Sequence, residues 1–391
     1  MAKEIVILHI FTDEKFFDKT SVFFDSLKNV RNLYYFYSDK SENTTFKYIK
    51  MKDKIKICTS FNEYKRILGS PNIDIIYFQS LPVKYYRYFK YINPKTVVIW
   101  WCFGFEIYYP LRFLPPLIGV NLYKPLTLQY IHSHEKYPYL KQIIRSIYRA
   151  FRYPSDYVNR MKILKRIDYF SPVLPIDYEM MKKNPYFNAK PFMLNGGPGL
   201  FEDLHFSYYQ YAQNILVGNS LTYTNNHLDI FNKIRHYKLT NQQYIIPINY
   251  GTDYGTNKIA FKELAKLPDE SVIWLDDFVP FEKYKVILST VSHAIFGHMR
   301  QQALGNISRC LENGTKLFLY KDSLIYKQLI DFGFIVYTID DDLCEEALKE
   351  PLSKEYAFRN YSIRCNQVKD RNSKTEIELE KIVNLANFNC D

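Results

Sequence analysis

The strongest constraint on the fold is a regular alternation of short apolar runs and amphipathic helical segments in the second half of the chain. Strand-like runs occupy residues 214–217, 244–248, 272–275, 293–296, 316–319 and 335–338, and a helical pattern follows each of the first five. Strands separated by helices form a parallel sheet through helical crossovers. The pattern predicts a doubly wound, nucleotide-binding layout, whose ligands lie at the carboxyl ends of the strands.

The first half alternates in the same way. Strand-like runs occur at residues 5–10, 33–37, 55–58, 73–79 and 96–101, with helical patterns among them. Between residues 188 and 214 this regularity gives way to a loop rich in Pro, Asn and Gly. A length of 391 residues suits two domains. We therefore predict a first domain at residues 1–200 and a second domain at residues 201–391, whose last helix is a candidate to cross back to the first domain.

Positive charge is concentrated in the first half of the chain. Residues 1–213 hold 31 Lys and Arg against 18 Asp and Glu, whereas residues 214–391 hold 21 against 23. Residues 124–166 contain ten basic and two acidic residues, interleaved with aromatic and aliphatic side chains. Such a stretch binds polyanions, and its apolar neighbours favour a membrane surface through Arg145, Arg149 and Arg152. A solvated helix face is the open alternative.

Features of the whole chain suggest where the protein works. The first residues lack the pattern of a signal peptide, and no apolar run reaches the roughly 18 to 20 residues that span a bilayer. The six cysteines show no metal-ligand spacing, and we expect reduced thiols and no bound metal. These features predict a cytoplasmic protein that lies peripherally on the inner membrane.

Two polar segments follow predicted strands of the second half. Gly218, Asn219 and Ser220 end the first of these strands, where backbone amides at a strand end and helix start suit phosphate oxygens. Tyr250 and Gly251 follow the next strand and are candidates to line a base or sugar pocket. Ordinary turns also favour these residue types.

A denser polar cluster follows the strand at residues 293–296. Arg300, Gln301 and Gln302 stand at the start of the helix predicted over residues 301–313. A guanidinium, two amides and a helix dipole together favour a pyrophosphate. Gly305 inside this helix leaves room for a ligand, and Asn306 follows it. Ordinary helix capping, with Gly305 as a packing contact, is the alternative.

Five strings in the second half resemble a known family. They are ILVGNS followed by Asn226, His227 and Asp229, then IPINYG, FVPFEKY, RQQALGNI and VYTIDDDL, spread in this order over residues 214–343. The same strings in the same order are typical of the 4-acetamido-4,6-dideoxygalactosyltransferases, which add N-acetylfucosamine to a lipid-linked disaccharide in enterobacterial common antigen synthesis. The resemblance implies a glycosyltransferase-B (GT-B) architecture, with two Rossmann-like, doubly wound α/β domains facing a cleft and usually no bound metal. It implies that residues 1–200 are the acceptor-binding, membrane-facing domain and that residues 201–391 are the nucleotide-sugar-binding domain.

In the first half, only the segment from Trp100 to Tyr108 resembles this family, which has an Asp and a Trp where this chain has Glu106 and Phe103. Glu106 follows a buried strand among aromatic residues, where burial raises the proton affinity of a carboxylate. We predict Glu106 as the base that activates the acceptor hydroxyl in an inverting transfer. A helix cap or ion-pair partner is the plainer interpretation. His132 and His134 are the alternative bases or contacts to lipid phosphate.

The sequence thus predicts an enzyme that uses a nucleoside diphosphate sugar, with dTDP as one candidate carrier, and a polyprenyl-pyrophosphate-linked glycan as acceptor. It predicts no further cofactor. Two alternatives remain. A basic module that binds polyanions would explain the charged first half. That interpretation leaves the donor-like second half without a role, so we expect no nucleic acid partner. A nucleotide-sugar epimerase or hydrolase could share the fold.

Overall fold

The computed structural model of the chain divides into two compact units. It describes residues 4–12, 16–38, 45–109, 116–134, 144, 147, 154–192, 204–209, 211–239, 241–251, 253–255, 258–369 and 371–388. Unit 1 comprises residues 1–119, 141–202 and 367–391, and unit 2 comprises residues 120–140 and 203–366. No helix among the described residues is both long and apolar enough to cross a bilayer.

Unit 1 begins with five strands and the helices between them. These elements are β1 (Ile5–Ile10), α1 (Phe17–Asp25), β2 (Val30–Tyr37), β3 (Ile55–Cys58), α2 (Phe61–Leu68), β4 (Ile75–Gln79), β5 (Val97–Trp101) and α3 (Phe105–Tyr108). Two 3₁₀ helices cover Lys52–Lys54 and Val83–Tyr91. The chain then forms α4 (Pro125–His134) in unit 2 and returns to unit 1 with α5 (Pro154–Arg166), β6 (Tyr169–Ser171), α6 (Pro175–Met181) and β7 (Lys190–Pro191).

The described strands of unit 1 form one parallel sheet in the order β3-β2-β1-β4-β5-β6-β7. Every residue of β1, β4 and β5 is buried, as expected for central parallel strands covered on both faces. The order reverses beside β1, because the chain first builds outward to β3 and then returns to β4.

Unit 2 repeats this plan. Its elements are β8 (Asn214–Val217), α7 (His227–Ile234), β9 (Tyr244–Pro247), α8 (Lys258–Ala265), β10 (Val272–Leu275), α9 (Phe281–Ser289), β11 (Val291–Phe296), α10 (Leu304–Glu312), β12 (Lys316–Leu319), α11 (Leu324–Asp331), β13 (Tyr337–Thr338) and α12 (Lys354–Val368). Three 3₁₀ helices cover Tyr223–Asn225, Asp269–Ser271 and Glu346–Leu348. Over the described ranges its parallel sheet has the order β10-β9-β8-β11-β12-β13. Both sheets are Rossmann-like, which confirms the predicted fold class.

The last helix, α13 (Arg371–Phe388), packs on unit 1. Leu379 and Ile382 are buried in the same apolar cluster as Ile7 and Ile99 of the central strands. Glu376 accepts a hydrogen bond from the backbone N of Lys28 at 2.7 Å. The final segment of the chain therefore completes the core of the unit that the N-terminal segment began.

Residues 120–140 belong to unit 2, although the predicted boundary grouped them with the first domain. Val120 and Tyr130 pack against the apolar core of unit 2. The carboxylate of Asp229 on α7 accepts hydrogen bonds from the backbone N of Leu126 at 2.9 Å and of Thr127 at 3.0 Å. These two donors lie in the first turn of α4, where helix amides lack partners within the helix. A side chain 102 residues away thus caps α4 and fixes it on unit 2.

Candidate functional site

Two glycines bring a turn of the chain against the carboxyl edge of the unit 2 sheet. Gly218 follows β8 and Gly297 follows β11, and these adjacent strands flank the point where the strand order reverses. A Cβ atom on Gly218 would lie 2.5 Å from Nε2 of His227, and one on Gly297 would lie 2.2 Å from the carbonyl O of Asn225. The close approach of the turn at residues 223–227 therefore requires both glycines.

Asn225 is the centre of a buried hydrogen-bond network at this edge. Its Oδ1 accepts from the backbone N of Asn219 at 3.0 Å, and its Nδ2 donates to the carbonyl O of Ser220 at 2.8 Å. These two contacts fix the orientation of the amide, because each backbone partner has only one possible role. Nε2 of His298 lies 2.8 Å from the same Oδ1. His298 must therefore carry its proton on Nε2.

His298 is fully buried and neutral. Burial lowers its pKa well below 6.5, and the nearby Arg300 and His227 lower the pKa further. Its Nε2 is also 3.0 Å from Oδ1 of Asn219, so two amide oxygens share this donor. Nδ1, which carries no proton, has no hydrogen-bond partner among the described residues. His298 thus holds Asn219 in place by donating a hydrogen bond.

Three of the predicted donor-site residues meet in this network. Asn219 donates from Nδ2 to the hydroxyl of Tyr250 at 3.3 Å, and Gln302 donates from Nε2 to Oδ1 of Asn219 at 3.3 Å. The hydroxyl of Thr224 donates to Oε1 of Gln302 at 2.9 Å. Side chains from the loops after β8, β9 and β11 are therefore connected at one edge, as the doubly wound layout predicts.

Arg300 and Gln301 adjoin this network. Arg300 is half-buried and donates from Nη1 to the carbonyl O of Gln301. Gln301 is buried, and its Oε1 has no hydrogen-bond partner among the described residues. A guanidinium and an amide beside the start of α10 form an environment that favours a negatively charged group.

The predicted start of helix α10 at Gln301 is wrong. Ala303 has a left-handed backbone conformation with φ of 56°, and the helix begins at Leu304, so both glutamines lie in the preceding loop. Gly305 is exposed, and a Cβ atom there would meet no atom within 4 Å. Asn306 donates from Nδ2 to the hydroxyl of Tyr284 at 3.1 Å. The space beside Gly305 is therefore open.

The amides expected to bind phosphate at the end of β8 already have protein partners. The backbone N of Gly218 donates to the carbonyl O of Ile295 at 2.9 Å, and that of Asn219 donates to Asn225. Ser220 is buried and its hydroxyl lies 3.1 Å from Nδ2 of Asn225. Gly251 has φ of 92°, and a Cβ atom there would lie 2.7 Å from the carbonyl O of Leu221. Gly218 and Gly251 therefore serve close packing.

Glu106 is fully buried in unit 1, just after β5. Its Oε1 accepts from the backbone N of Leu81 at 3.1 Å and its Oε2 from that of Phe103 at 3.0 Å. Burial raises its pKa to about 7, although the two backbone donors lower it. A carboxyl group with this pKa can exchange a proton near neutral pH. In this structure, however, the side chain is enclosed, and it holds two loop segments together.

Two of the predicted acceptor residues lie on α4 in unit 2. His132 and His134 are exposed near the end of α4, and the ring of His134 stacks on Tyr130 with centroids 3.8 Å apart. Arg145, Arg149 and Arg152 lie outside the described residues. No three His, Cys, Asp or Glu side chains in the described part of the chain form a group that could hold a metal ion.

Comparison with known protein families gives a match that covers the candidate site. Residues 203–357 match the family described as 4-alpha-L-fucosyltransferase, glycosyl transferase group 56. The chain is a glycosyltransferase. The matched range includes all five strings that suggested the family from sequence, and it contains the whole network around Asn225. The family resemblance is thereby confirmed over residues 203–357.

The fold of this glycosyltransferase is shared with solved structures of low sequence identity. The trehalose 6-phosphate synthase from Burkholderia multivorans is 8% identical over 100% of both chains, with a TM-score of 0.57. An E. coli trehalose-6-phosphate structure bound with UDP-2-fluoro glucose is 9% identical over 96% of this chain and 99% of that one, with a TM-score of 0.56. Sucrose-phosphate synthase from Thermosynechococcus elongatus is 8% identical over 97% and 96%, with a TM-score of 0.54. The fold is that of the GT-B glycosyltransferases.

Sequence reasoning missed three residues of the candidate site. Asn225, His298 and Thr224 carry its central hydrogen bonds, yet none was predicted as a binding residue. His298 is the second residue after β11, at the carboxyl edge where this fold binds ligands. That position alone could have indicated His298 from the sequence. Asn225 and Thr224 stand in a short 3₁₀ turn without any distinctive local pattern.

Proposed function

We propose that this glycosyltransferase moves a deoxy-amino sugar of the N-acetylfucosamine type from a nucleoside diphosphate donor to a glycan carried on a polyprenyl pyrophosphate. The matched family supports a fucose-like sugar, since its description names a fucosyltransferase. The observation that carries the donor side is the network of Asn225, Asn219, His298 and Gln302 beside Arg300. It stands where a doubly wound sheet binds nucleotides.

The leaving nucleoside diphosphate gains negative charge as the glycosidic bond to the sugar breaks. We assign its stabilisation to Arg300, assisted by the amides of Gln301 and Gln302 and by the start of α10. A guanidinium donates to two phosphate oxygens at once, and hydrogen bonds to charged groups are the strongest kind. In this proposal these groups meet the charge without a metal ion, and the sugar is transferred with inversion.

The proposed general base is Glu106, with His132 or His134 as the alternative. Glu106 has the more suitable pKa, whereas His132 has the more accessible side chain. A general base must come within hydrogen-bond distance of the hydroxyl that it deprotonates. For Glu106 this requires that substrate binding open the enclosure formed by Leu81 and Phe103.

The proposed acceptor side uses the basic and aromatic residues 124–166 to hold the enzyme on the inner face of the cytoplasmic membrane. This range carries ten Lys and Arg residues. Basic side chains beside an anionic leaflet are attracted to it, and a polyprenyl carrier would place the acceptor glycan at the same surface.

The donor assignment is tested by replacing Arg300 with Ala. The variant should lose about 2 kcal/mol of nucleotide binding or transition-state stabilisation, which is roughly a thirtyfold change in Kd or kcat/KM. Isothermal titration with nucleoside diphosphates and a radiolabelled transfer assay measure the two quantities.

Two control variants make this test specific. Arg300→Lys keeps the charge without the two-pronged geometry and should be intermediate. Arg359→Ala removes an exposed arginine of α12 and should behave as the wild type. Unchanged affinity and kinetics in Arg300→Ala would refute the assignment of Arg300 to the diphosphate.

A further inference from the structure

A pocket lies beside the candidate donor site in unit 2. Its volume is about 550 Å³, within the usual range for small-molecule pockets. One wall comes from residues 121–132, which form the connection into α4 and most of that helix, and the other comes from Met299 and Asp322. Met299 lies between His298 and Arg300 in sequence, so this wall belongs to the loop that carries the proposed diphosphate-binding arginine.

Asn226 fixes this wall to the donor-site loops. Its Oδ1 accepts from the backbone N of Lys124 at 2.8 Å, and its Nδ2 donates to the carbonyl O of Gly297 at 2.7 Å and of Leu122 at 3.2 Å. One buried side chain therefore joins the pocket wall to the loop that carries His298 and Arg300. Together with the capping of α4 by Asp229, this makes the pocket a built feature of unit 2.

The charges in the pocket are paired. Nζ of Lys124 is 2.9 Å from a carboxylate oxygen of Asp322, and it also lies 4.2 Å from the ring centroid of Tyr320. A cation with a carboxylate partner offers little net attraction to a phosphate. The pocket therefore suits an uncharged part of the substrate.

The remaining wall residues combine apolar surface with groups that form hydrogen bonds. Tyr123, Leu128 and Met299 supply the apolar surface, and Asn121, Gln129 and His132 supply amide and imidazole groups. A hexose presents an apolar face of C–H groups and a rim of hydroxyls, each of which both donates and accepts. Amides, an imidazole and a carboxylate can match such a rim in both roles.

We propose that this pocket binds a glycosyl residue of a substrate, as a sugar subsite beside the diphosphate. The proposal rests on the proposed function for the position of the diphosphate. The glycosyl residue could belong to the nucleotide donor or to the acceptor glycan, since both present the same chemistry. Gln129 is the residue best placed to test the pocket, because it is exposed and lines the cavity.

The direct test is saturation-transfer NMR on the full chain with the methyl glycosides of fucose, galactose and N-acetylglucosamine. Gln129→Trp fills the pocket and should reduce saturation transfer at least fivefold. Leu126→Trp places the same bulk on α4 outside the pocket and should stay within twofold of the wild type. No transfer to any glycoside in the wild type, or equal signals from the two variants, would overturn the proposal.

Kinetics then identify the source of the sugar. A KM for the nucleotide sugar that rises at least tenfold in Gln129→Trp, with an unchanged Kd for the free nucleoside diphosphate, assigns the pocket to the donor. A tenfold rise in the KM of the glycan acceptor alone assigns it to the acceptor. Loss of affinity for the free nucleoside diphosphate without any change in glycoside binding would give the pocket to the nucleoside and overturn the proposal. A wild type that binds glycosides but transfers no sugar would refute the proposed function and leave the sugar subsite standing.

Discussion

Replacing Asn225 with Ala removes the centre of the polar network in unit 2. The structure shows which groups lose partners. The backbone N of Asn219 loses the side-chain oxygen that accepts from it at 3.0 Å. His298 keeps one acceptor, Oδ1 of Asn219, at 3.0 Å, and the carbonyl O of Ser220 keeps the backbone N of Thr222 at 2.9 Å. The variant therefore leaves the backbone N of Asn219 without a partner and removes one of the two acceptors of His298.

These losses can be converted into a free energy of unfolding. A buried donor left without a partner costs about 1–3 kcal/mol, and a lost hydrogen bond that leaves no orphan costs about 1 kcal/mol. Truncation of a fully buried side chain adds a small cavity. We expect Asn225→Ala to lower the free energy of unfolding by about 3 kcal/mol, a large part of the usual 5–15 kcal/mol. For a unit of this size that corresponds to a fall in Tm of roughly 6–12 °C.

Urea denaturation followed by circular dichroism measures the change, and nucleotide titration measures its effect on the site. Asn232→Ala on α7, the helix that follows the turn containing Asn225, is the matched control, because Asn232 is exposed. It should change stability by less than about 0.5 kcal/mol. The affinity for nucleoside diphosphate should fall in Asn225→Ala even at temperatures well below its Tm, since Asn219 loses the side chain that orders it and Gln302 in turn donates to Asn219.

Two results would refute this reasoning. A loss of stability below about 1 kcal/mol would mean that water or a shifted backbone replaces the lost partners of Asn225. A destabilised variant with unchanged nucleotide affinity would show that the network serves folding alone. The donor site would then lie elsewhere at the carboxyl edge of the sheet.

Two further predictions concern unit 1 and the basic stretch. Burial raises the pKa of Glu106 from 4.5 to about 7, so the folded state binds the carboxyl proton more tightly than the unfolded state does. The free energy of unfolding should therefore fall by roughly 3 kcal/mol as the pH rises from the lower pKa to the higher one. Urea titrations at several pH values should show that the free energy of unfolding of Glu106→Gln lacks this fall. An identical pH dependence of stability in the variant and the wild type would contradict the shifted pKa. If Glu106 is the base, the turnover of Glu106→Gln should also drop roughly a hundredfold while nucleotide affinity stays unchanged. Replacement of Arg145, Arg149 and Arg152 with Glu should abolish salt-sensitive co-sedimentation with anionic vesicles, because each basic side chain near the surface contributes about 1 kcal/mol. Full binding by this triple variant would show that the basic stretch is a solvated face.

The sequence determined the layout of the two sheets. Runs such as residues 97–101 and 215–217 are apolar throughout, a pattern typical of strands covered on both faces. The spacing of these runs left room for helical crossovers, so parallel pairing followed. The polar residues after each strand indicated the ligand-binding edge, and Asn219, Tyr250 and Gln302 do meet there.

Tertiary structure decided which polar groups at that edge are free and which already have partners. The amide of Asn219 is used by Asn225, and Asn225 meets His298, 73 residues further along the chain, because β8 and β11 pair in a particular register. The sequence shows that a polar residue follows a strand, but its partner depends on which strand lies beside it. The same applies to residues 120–134, which the predicted boundary grouped with the first half. The side chains of Asn226 and Asp229 accept long-range hydrogen bonds from the backbone of this segment and hold it in the second unit. Local sequence patterns indicate burial, whereas hydrogen-bond partners depend on the packed fold.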